Sequence, residues 1–330
     1  MIQFEEAITK KIPISDFSGA IGFSLRTLYY WKKEITADLK NDVQKKPAVP
    51  ANKLTSTEKA LVVSALLRPA WSDLSPREIY YKLLDEETII FASVSTFYRI
   101  AKEKQILTLR SKTKSGTKLN REKPILTALK ANEIWSWDVS QIFSTTRSEK
   151  FYLYVIIDIW SRFVVGWRLD VHEQTHLAIE LWKKALQDQM ISGIGLTNHK
   201  DNGSIMTSKD MIKFVRDAQM IDSYSRAGVS DDNPFSESLF RTIKYFRDFP
   251  IFFENLQSGQ DYFKSYFYDY NFTHRHSGIQ FLTPASRHYG EEEKILNLRN
   301  QVIQDFHKKN PQRYSSKQKI FHPLLEVNIN

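Results

Sequence analysis

Trp135 to Leu169 reads W-S-W-D-V-S-Q-I-F-S-T-T-R-S-E-K-F-Y-L-Y-V-I-I-D-I-W-S-R-F-V-V-G-W-R-L. Trp135 to Phe143 alternates apolar and polar residues, as a strand with one buried face does. Phe151 to Ile159 is a Tyr-, Val- and Ile-rich run, the pattern of a strand covered on both faces. Arg162 to Leu169 is a third strand, and Trp160-Ser161 leaves room only for a tight turn before it. Three strands so closely joined form an antiparallel meander.

Downstream the period changes. Thr175 to Met190 reads as an amphipathic helix with Leu177, Leu181 and Leu186 among its apolar positions. Ile194 to Asn198 reads as a short strand, Ser208 to Ala218 as a helix and Met220 to Tyr224 as a strand. Asn233-Pro234 then opens a helix running to about Arg247. This order predicts an α/β ribonuclease-H-like core, a five-stranded mixed sheet with flanking helices, over residues 131–290.

Upstream the pattern is helical. In residues 1–45, a helix from Ile14 to Ala20, a turn at Gly22 and a helix Leu25 to Lys33 capped by Ser24 make a helix-turn-helix pattern. Arg26, Thr27, Tyr30 and Lys33 are its candidate DNA contacts, with Leu25, Leu28 and Trp31 expected inward. A linker with Pro47 and Pro50 spans 46–54. A second module, 55–106, carries capping signals at Thr55 with Glu58, at Ser75-Pro76-Arg77-Glu78 and at Ser93. Its third helix presents Ser95, Thr96, Tyr98, Arg99 and Lys102, of which Ser95, Thr96, Arg99 and Lys102 are taken as DNA contacts. The fold class is therefore the α/β core preceded by all-α helix-turn-helix domains.

Charge separates the same parts. Residues 1–130 hold 23 Lys and Arg against 14 acids, or +9, and residues 131–330 hold 24 against 24. A basic block before a neutral body suits an arm that grips a polyanion. Arg99 to Lys123 alone has nine basic residues and two acids, and 107–130 reads as a basic linker able to follow a phosphate backbone. The absence of cysteine fits a reducing cytoplasm and excludes Cys-ligated zinc. No stretch is long and apolar enough for a membrane span, and Met1 to Glu6 lacks the features of a secretory signal. A soluble, cytoplasmic, nucleoid-associated protein is expected.

Three acids stand where this strand order converges. Asp138 is in the middle of the first strand, Asp201 lies just past the fourth, and Glu237 is in the first turns of the helix opened by Asn233-Pro234. Clustered carboxylates repel one another unless cations sit among them, and Mg²⁺ is the hard, oxygen-preferring candidate. Two such ions suit phosphodiester displacement. Asp158 is a fourth acid, read as structural at a strand end and paired with Arg162.

Five runs in order carry a resemblance. They are Trp137-Asp138; Tyr154 to Trp167; His199 to Gly203; Ser225 to Lys244, reading S-R-A-G-V-S-D-D-N-P-F-S-E-S-L-F-R-T-I-K; and Tyr270-Asn271 with Arg275, His276 and Thr283-Pro284. The body resembles the retroviral-integrase catalytic core and, within it, the transposases of insertion-sequence family three. That resemblance implies a metal-binding catalytic triad of Asp138, Asp201 and Glu237, with two Mg²⁺ ions for which Mn²⁺ substitutes. It also implies DNA contacts from Lys244, seven positions after Glu237, from Asn233 and from Arg226.

The implied activity is transposition: binding terminal inverted repeats of double-stranded DNA, 3′-end hydrolysis and strand transfer, within a homo-oligomeric synaptic complex. The alternatives are a nuclease of the same fold that does not join and a domesticated DNA-binding regulator. Without cysteine the chain lacks the His/Cys zinc module of retroviral integrases, and no sustained heptad runs between Ile35 and Lys53. The extension 291–330 is basic, with no clear fold after Lys294.

Overall fold

The computed structural model describes residues 13–15, 18, 22–41, 53–90, 92–106, 126–146, 149–225, 233–311 and 320–329. The chain forms two compact units, Met1–Lys53 and Leu54–Asn330.

In the first unit, α1 spans Leu25–Asn41. Gly22 precedes it at φ 73°, a left-handed conformation that a side chain would strain, so the expected turn is present. Leu28 is buried, and Trp31 meets Phe23 at 5.1 Å. Two expectations need correction. The helix continues to Asn41 rather than stopping at Lys33, because no Gly or Pro interrupts it. Leu25 is exposed at the first helical position, whereas Leu28 is buried. The helix expected over Ile14 to Ala20 and the linker at 46–54 lie largely outside the described residues.

The second unit opens with the three-helix module: α2 (Ser56–Leu66), α3 (Pro76–Lys82) and α4 (Val94–Glu103). Local chemistry starts each helix. Thr55 with Glu58 and Ser75 with Glu78 form complete capping boxes, and Ser93 accepts from the Thr96 amide. The helices bury Val62, Leu66, Ile79, Phe97 and Ile100 together.

The five-stranded sheet that positions the acids is built from β2 (Ile134–Phe143), β3 (Lys150–Asp158), β4 (Val164–Asp170), β5 (Thr197–Lys200) and β6 (Ile221–Tyr224), with the short β1 (Leu126–Ala128) ahead of it in the chain. Its order is β4-β3-β2-β5-β6. The pairs β2–β3 and β3–β4 are antiparallel, and β2–β5 and β5–β6 are parallel. This is the ribonuclease-H-like arrangement that the sequence predicts.

Both faces are covered, which explains the apolar run in β3. On one face Trp135, Trp137, Tyr154 and Ile156 meet α5 (Thr175–Asp188) and α6 (Lys209–Asp217) through Leu181, Trp182 and Met211. The Trp182 ring stands 5.5 Å from that of Trp135 and 6.3 Å from that of Trp137. On the other face Leu153, Val155 and Ile157 meet α7 (Pro234–Lys244) and α8 (Leu256–Phe272) through Leu239, Ile243, Phe263 and Phe267. Gly259 lets α8 approach β4 closely, because a Cβ there would lie 2.5 Å from Leu169 Cδ2.

β5 begins at Thr197, three residues later than expected. Gly193 (φ 88°) and Gly195 (φ 77°) turn the chain sharply just before it, so Ile194 cannot lie in an extended run. The helix opened by Asn233-Pro234 ends at Lys244, short of Arg247. Asp158 closes the β3–β4 turn, but not through the Arg162 side chain. Its carboxylate accepts from Ser161 N (2.8 Å), Ser161 Oγ (2.7 Å) and Asn132 N (2.7 Å), while Arg162 lies over the Phe235 ring at 3.9 Å.

The C-terminal region is folded where described, which corrects the reading of 291–330. After α9 (Pro284–His288), α10 spans Glu292–Lys309, and β7 (Val327–Ile329) pairs antiparallel with β1. The partners Leu126 and Ile329 are too far apart in sequence for any local pattern to announce them. The Lys- and Arg-containing segment 312–319 lies outside the described residues.

Candidate active site

The three acids are positioned by strand register and by one anchored helix. In the β2–β5 ladder Ile134 faces Thr197, Trp135 faces Asn198 and Ser136 faces His199, a constant offset of 63. The same offset takes Asp138 to Asp201, two residues beyond the last pair on each strand. Strand alternation sets Ser136, Asp138 and Ser140 on the face opposite the Trp135–Trp137 core.

α7 crosses that face. Asn233 and Ser236 fasten its start: Ser136 Oγ donates to Asn233 Oδ1 at 2.5 Å and lies 2.8 Å from Ser236 Oγ. Asn233 Nδ2 reaches Trp137 O at 3.4 Å. At the far end Lys244 Nζ donates to Ser140 Oγ at 2.7 Å. Glu237, in the first helical turn, is thereby held beside the strand that carries Asp138.

Electrostatics reports this proximity. The Asp138 carboxyl is pushed up to about 7 from 3.8, first by burial and then by the charges of Asp201, Glu237 and Glu173. The Val139 amide, donating to Asp138 Oδ1 at 2.7 Å, opposes the rise. Asp201 Oδ1 accepts from Gly203 N at 2.8 Å, so the loop folds back under its own carboxylate. As the side chains lie, no three acidic or histidine groups among the described residues stand close enough to hold one ion. The donor chemistry nonetheless suits a hard cation: all three groups are carboxylates, and Asp138 lies within the field of the other two.

Around Asp201 the β5–β6 edge is tied by polar side chains. Lys200 is buried and pairs with Asp222 at 2.7 Å, with its ammonium 4.7 Å from the Tyr224 ring centre; burial lowers its pKa. His199 is buried with Nδ1 3.1 Å from Ser223 Oγ, and Asn202 donates to Ser225 O at 2.7 Å. These contacts set the strand ends from which Asp201 projects.

The other candidate residues divide clearly. Arg26, Tyr30 and Lys33 are exposed on α1, and Thr27 is half-buried at the Ser24 cap. Ser95, Arg99 and Lys102 are exposed on α4, while Thr96 is held at the Ser93 cap. Lys244 is exposed beside Ser140. Asn233 requires correction as a DNA contact: it is 4% exposed and turned inward, fastening α7 to β2. Arg226 lies outside the described residues.

Two features had no sequence signal. Glu173 adds negative charge near Asp138 from a loop 35 residues away, and Ser136 anchors α7 across 97 residues. The Tyr270-Asn271, Arg275 and Thr283 run is structural. Asn271 makes paired bonds to Val164 N (2.8 Å) and O (3.0 Å), and Thr283 caps α9.

Two family models, each described as integrase core domain, match residues 128–230 and 219–284. The transposase for insertion sequence element IS904 of Lactococcus lactis subsp. lactis (strain IL1403) is 31% identical over 175 residues, covering 52% of this chain and 68% of that protein. The chain belongs to the insertion-sequence transposases with an integrase-type core.

Other relatives of this transposase align over shorter segments. The IS629 transposase of Shigella sonnei is 26% identical over 39% of this chain and 42% of its own length. Transposase InsF of IS3A from Escherichia coli (strain K12) is 29% identical over 34% of this chain and 38% of its own. The chain thus spans less than half the length of these two. Among solved structures, the HTLV-2 integrase catalytic core domain in complex with magnesium aligns at 19% identity and a TM-score of 0.36, over 48% of this chain and 98% of that one.

Proposed function

We propose that this transposase is a metal-dependent DNA strand transferase in which Asp138, Asp201 and Glu237 form the catalytic carboxylate set. The observation that carries the reading is the β2–β5 register, which sets Asp138 and Asp201 at matching positions, with Glu237 on the helix fastened across β2 and the charges of both acting on the half-buried Asp138 carboxyl. A half-buried carboxylate among like charges is costly in the free protein, and a bound divalent cation would reduce that cost.

The three side chains would hold Mg²⁺, with Mn²⁺ as a substitute, after turning toward one another. Bound there, the metal would supply electrostatic stabilisation to the attacking and leaving oxygens of a phosphodiester displacement. The residues of the chain would do the rest. Asp138 must be ionised to bind, so its proton leaves as the site loads. Lys244, two helical turns from Glu237, would bear on a DNA phosphate beside the scissile one. Ser136, Asn233 and Ser236 would keep Glu237 in place while DNA enters.

The DNA ends would be held by polar residues of α1 and α4: Arg26, Thr27, Tyr30 and Lys33 on the first, Ser95, Thr96, Arg99 and Lys102 on the second. Arg226 would contact phosphate. Two ends must meet for transposition, so a homo-oligomeric complex on double-stranded DNA is proposed. The proposed working compartment is the bacterial cytoplasm, where the DNA substrate is.

The test is a product analysis on a labelled duplex carrying the terminal repeat, with Mg²⁺, comparing wild type with Glu237→Gln. Nicked and joined products from wild type alone support the reading. Nicking without joining moves the assignment to a nuclease, and tight binding with no chemistry moves it to a regulator.

A further inference from the structure

Three charged side chains from distant parts of the sequence meet where the 55–106 module packs on the rest of its unit. Asp85 lies in the π-turn after α3, Arg275 follows α8, and Arg299 is in α10. Arg299 donates from Nε to Asp85 Oδ1 at 2.6 Å and from Nη2 to Oδ2 at 2.8 Å, a two-point grip. Arg275 Nη1 donates to the same Oδ2, and its Nη2 reaches Glu86 at 3.3 Å. The Arg299 side chain is fully buried, and those of Asp85 and Arg275 are 9% exposed. The guanidinium groups also bond the carbonyls of Gln280 (2.5 Å) and Phe281 (2.9 and 3.2 Å). Tyr81 stacks on Phe281 at 4.6 Å beside them.

The chemistry of this joint differs from ordinary packing. Apolar contacts tolerate sliding, whereas a fork of two parallel hydrogen bonds fixes angle as well as distance. A buried carboxylate that slipped from its guanidinium groups would leave a charge uncompensated, so intermediate orientations are excluded. The helix that carries Arg299 leads on to β7, which pairs with β1 at the entrance to the core. The joint therefore ties the α4 module to the body that carries Asp138.

We propose that Asp85, Arg275 and Arg299 are positioning residues that hold the 55–106 module in one orientation on the catalytic body. In doing so they set which phosphodiester is cut relative to the DNA that α4 reads. The second half of this inference rests on the proposed function; the first does not.

Because the chain has no cysteine, Lys104→Cys and Lys183→Cys, both at exposed positions, can carry spin labels on the module and the body. Pulsed dipolar spectroscopy on the whole 330-residue chain is expected to give one narrow distance distribution. Arg299→Met, similar in length but uncharged, is expected to broaden it about twofold or add a second distance. Arg299→Lys keeps the charge and loses the fork, so an intermediate width is expected. It becomes the deciding variant if circular dichroism shows the methionine form unfolded. An unchanged narrow distribution in a folded variant overturns the joint.

The nick is then mapped at single-nucleotide resolution on an end-labelled duplex with Mg²⁺. Wild type is expected to cut one phosphodiester, and Arg299→Lys to scatter cuts over its neighbours with total cutting within a few-fold. Sharp cutting by a variant whose distances have broadened overturns the role in choosing the cut. A wild type that never cuts refutes the proposed function, while the distance measurement still decides the joint.

Discussion

Replacing Asp138 with asparagine is expected to stabilise the metal-free protein at pH 8 while removing its activity. The folded chain holds the Asp138 proton far more tightly than an unfolded chain would, at about 7 against 3.8. For an acid raised in this way, the stability present at low pH is lost as pH climbs from 3.8 to about 7, and the loss is then constant. The full displacement corresponds to about 4 kcal/mol at 1.36 kcal/mol per pH unit. Asp138 is only half-buried, so solvent screening brings the working figure to about 2 kcal/mol. Asparagine cannot ionise, and its Oδ1 can still accept from the Val139 amide. Urea denaturation in chelator at pH 8 should therefore show Asp138→Asn more stable by about 2 kcal/mol, with the gap at least halved at pH 4. A variant less stable than wild type at pH 8, or a gap that does not shrink in acid, refutes the reasoning.

Adding Mg²⁺ at pH 8 should stabilise wild type by about 2.7 kcal/mol at one hundred times its dissociation constant. Asp201→Asn should lose most of that gain, measured by the same denaturation. End binding should weaken steeply with salt, and Arg99→Ala and Lys102→Ala should each lower the slope of log K against log salt by about one, measured by fluorescence anisotropy. Gly259→Ala should cost about 1–3 kcal/mol, because its methyl group would meet Leu169 at 2.5 Å; an unchanged denaturation midpoint would contradict the close packing of α8 on β4.

What could be read from the sequence was governed by locality. Thr55 with Glu58, Ser75 with Glu78, and Ser93 are helix starts whose partners lie three residues away, so the chain states them directly. The buried runs of β2 and β3 are likewise local, and with their turns they specify the meander. Asp138, Asp201 and Glu237 stood out because the strand order brings them to one edge. What escaped depends on long separations. Ser136 holding Asn233, β1 pairing with β7, and Asp85 gripping Arg299 leave no periodic trace. Asn233 is an example: the family resemblance offers it as a DNA contact, yet its side chain is turned to the strand beneath. The three-residue shift of β5 has a local cause, the paired left-handed glycines at 193 and 195.

Anomalous diffraction from crystals of this transposase soaked in Mn²⁺ reads directly whether Asp138, Asp201 and Glu237 share one metal site. Peaks are expected among the three carboxylates and are expected to vanish in Asp201→Asn crystals. Peaks only at other acidic residues, or none there at saturating metal, would contradict a shared site.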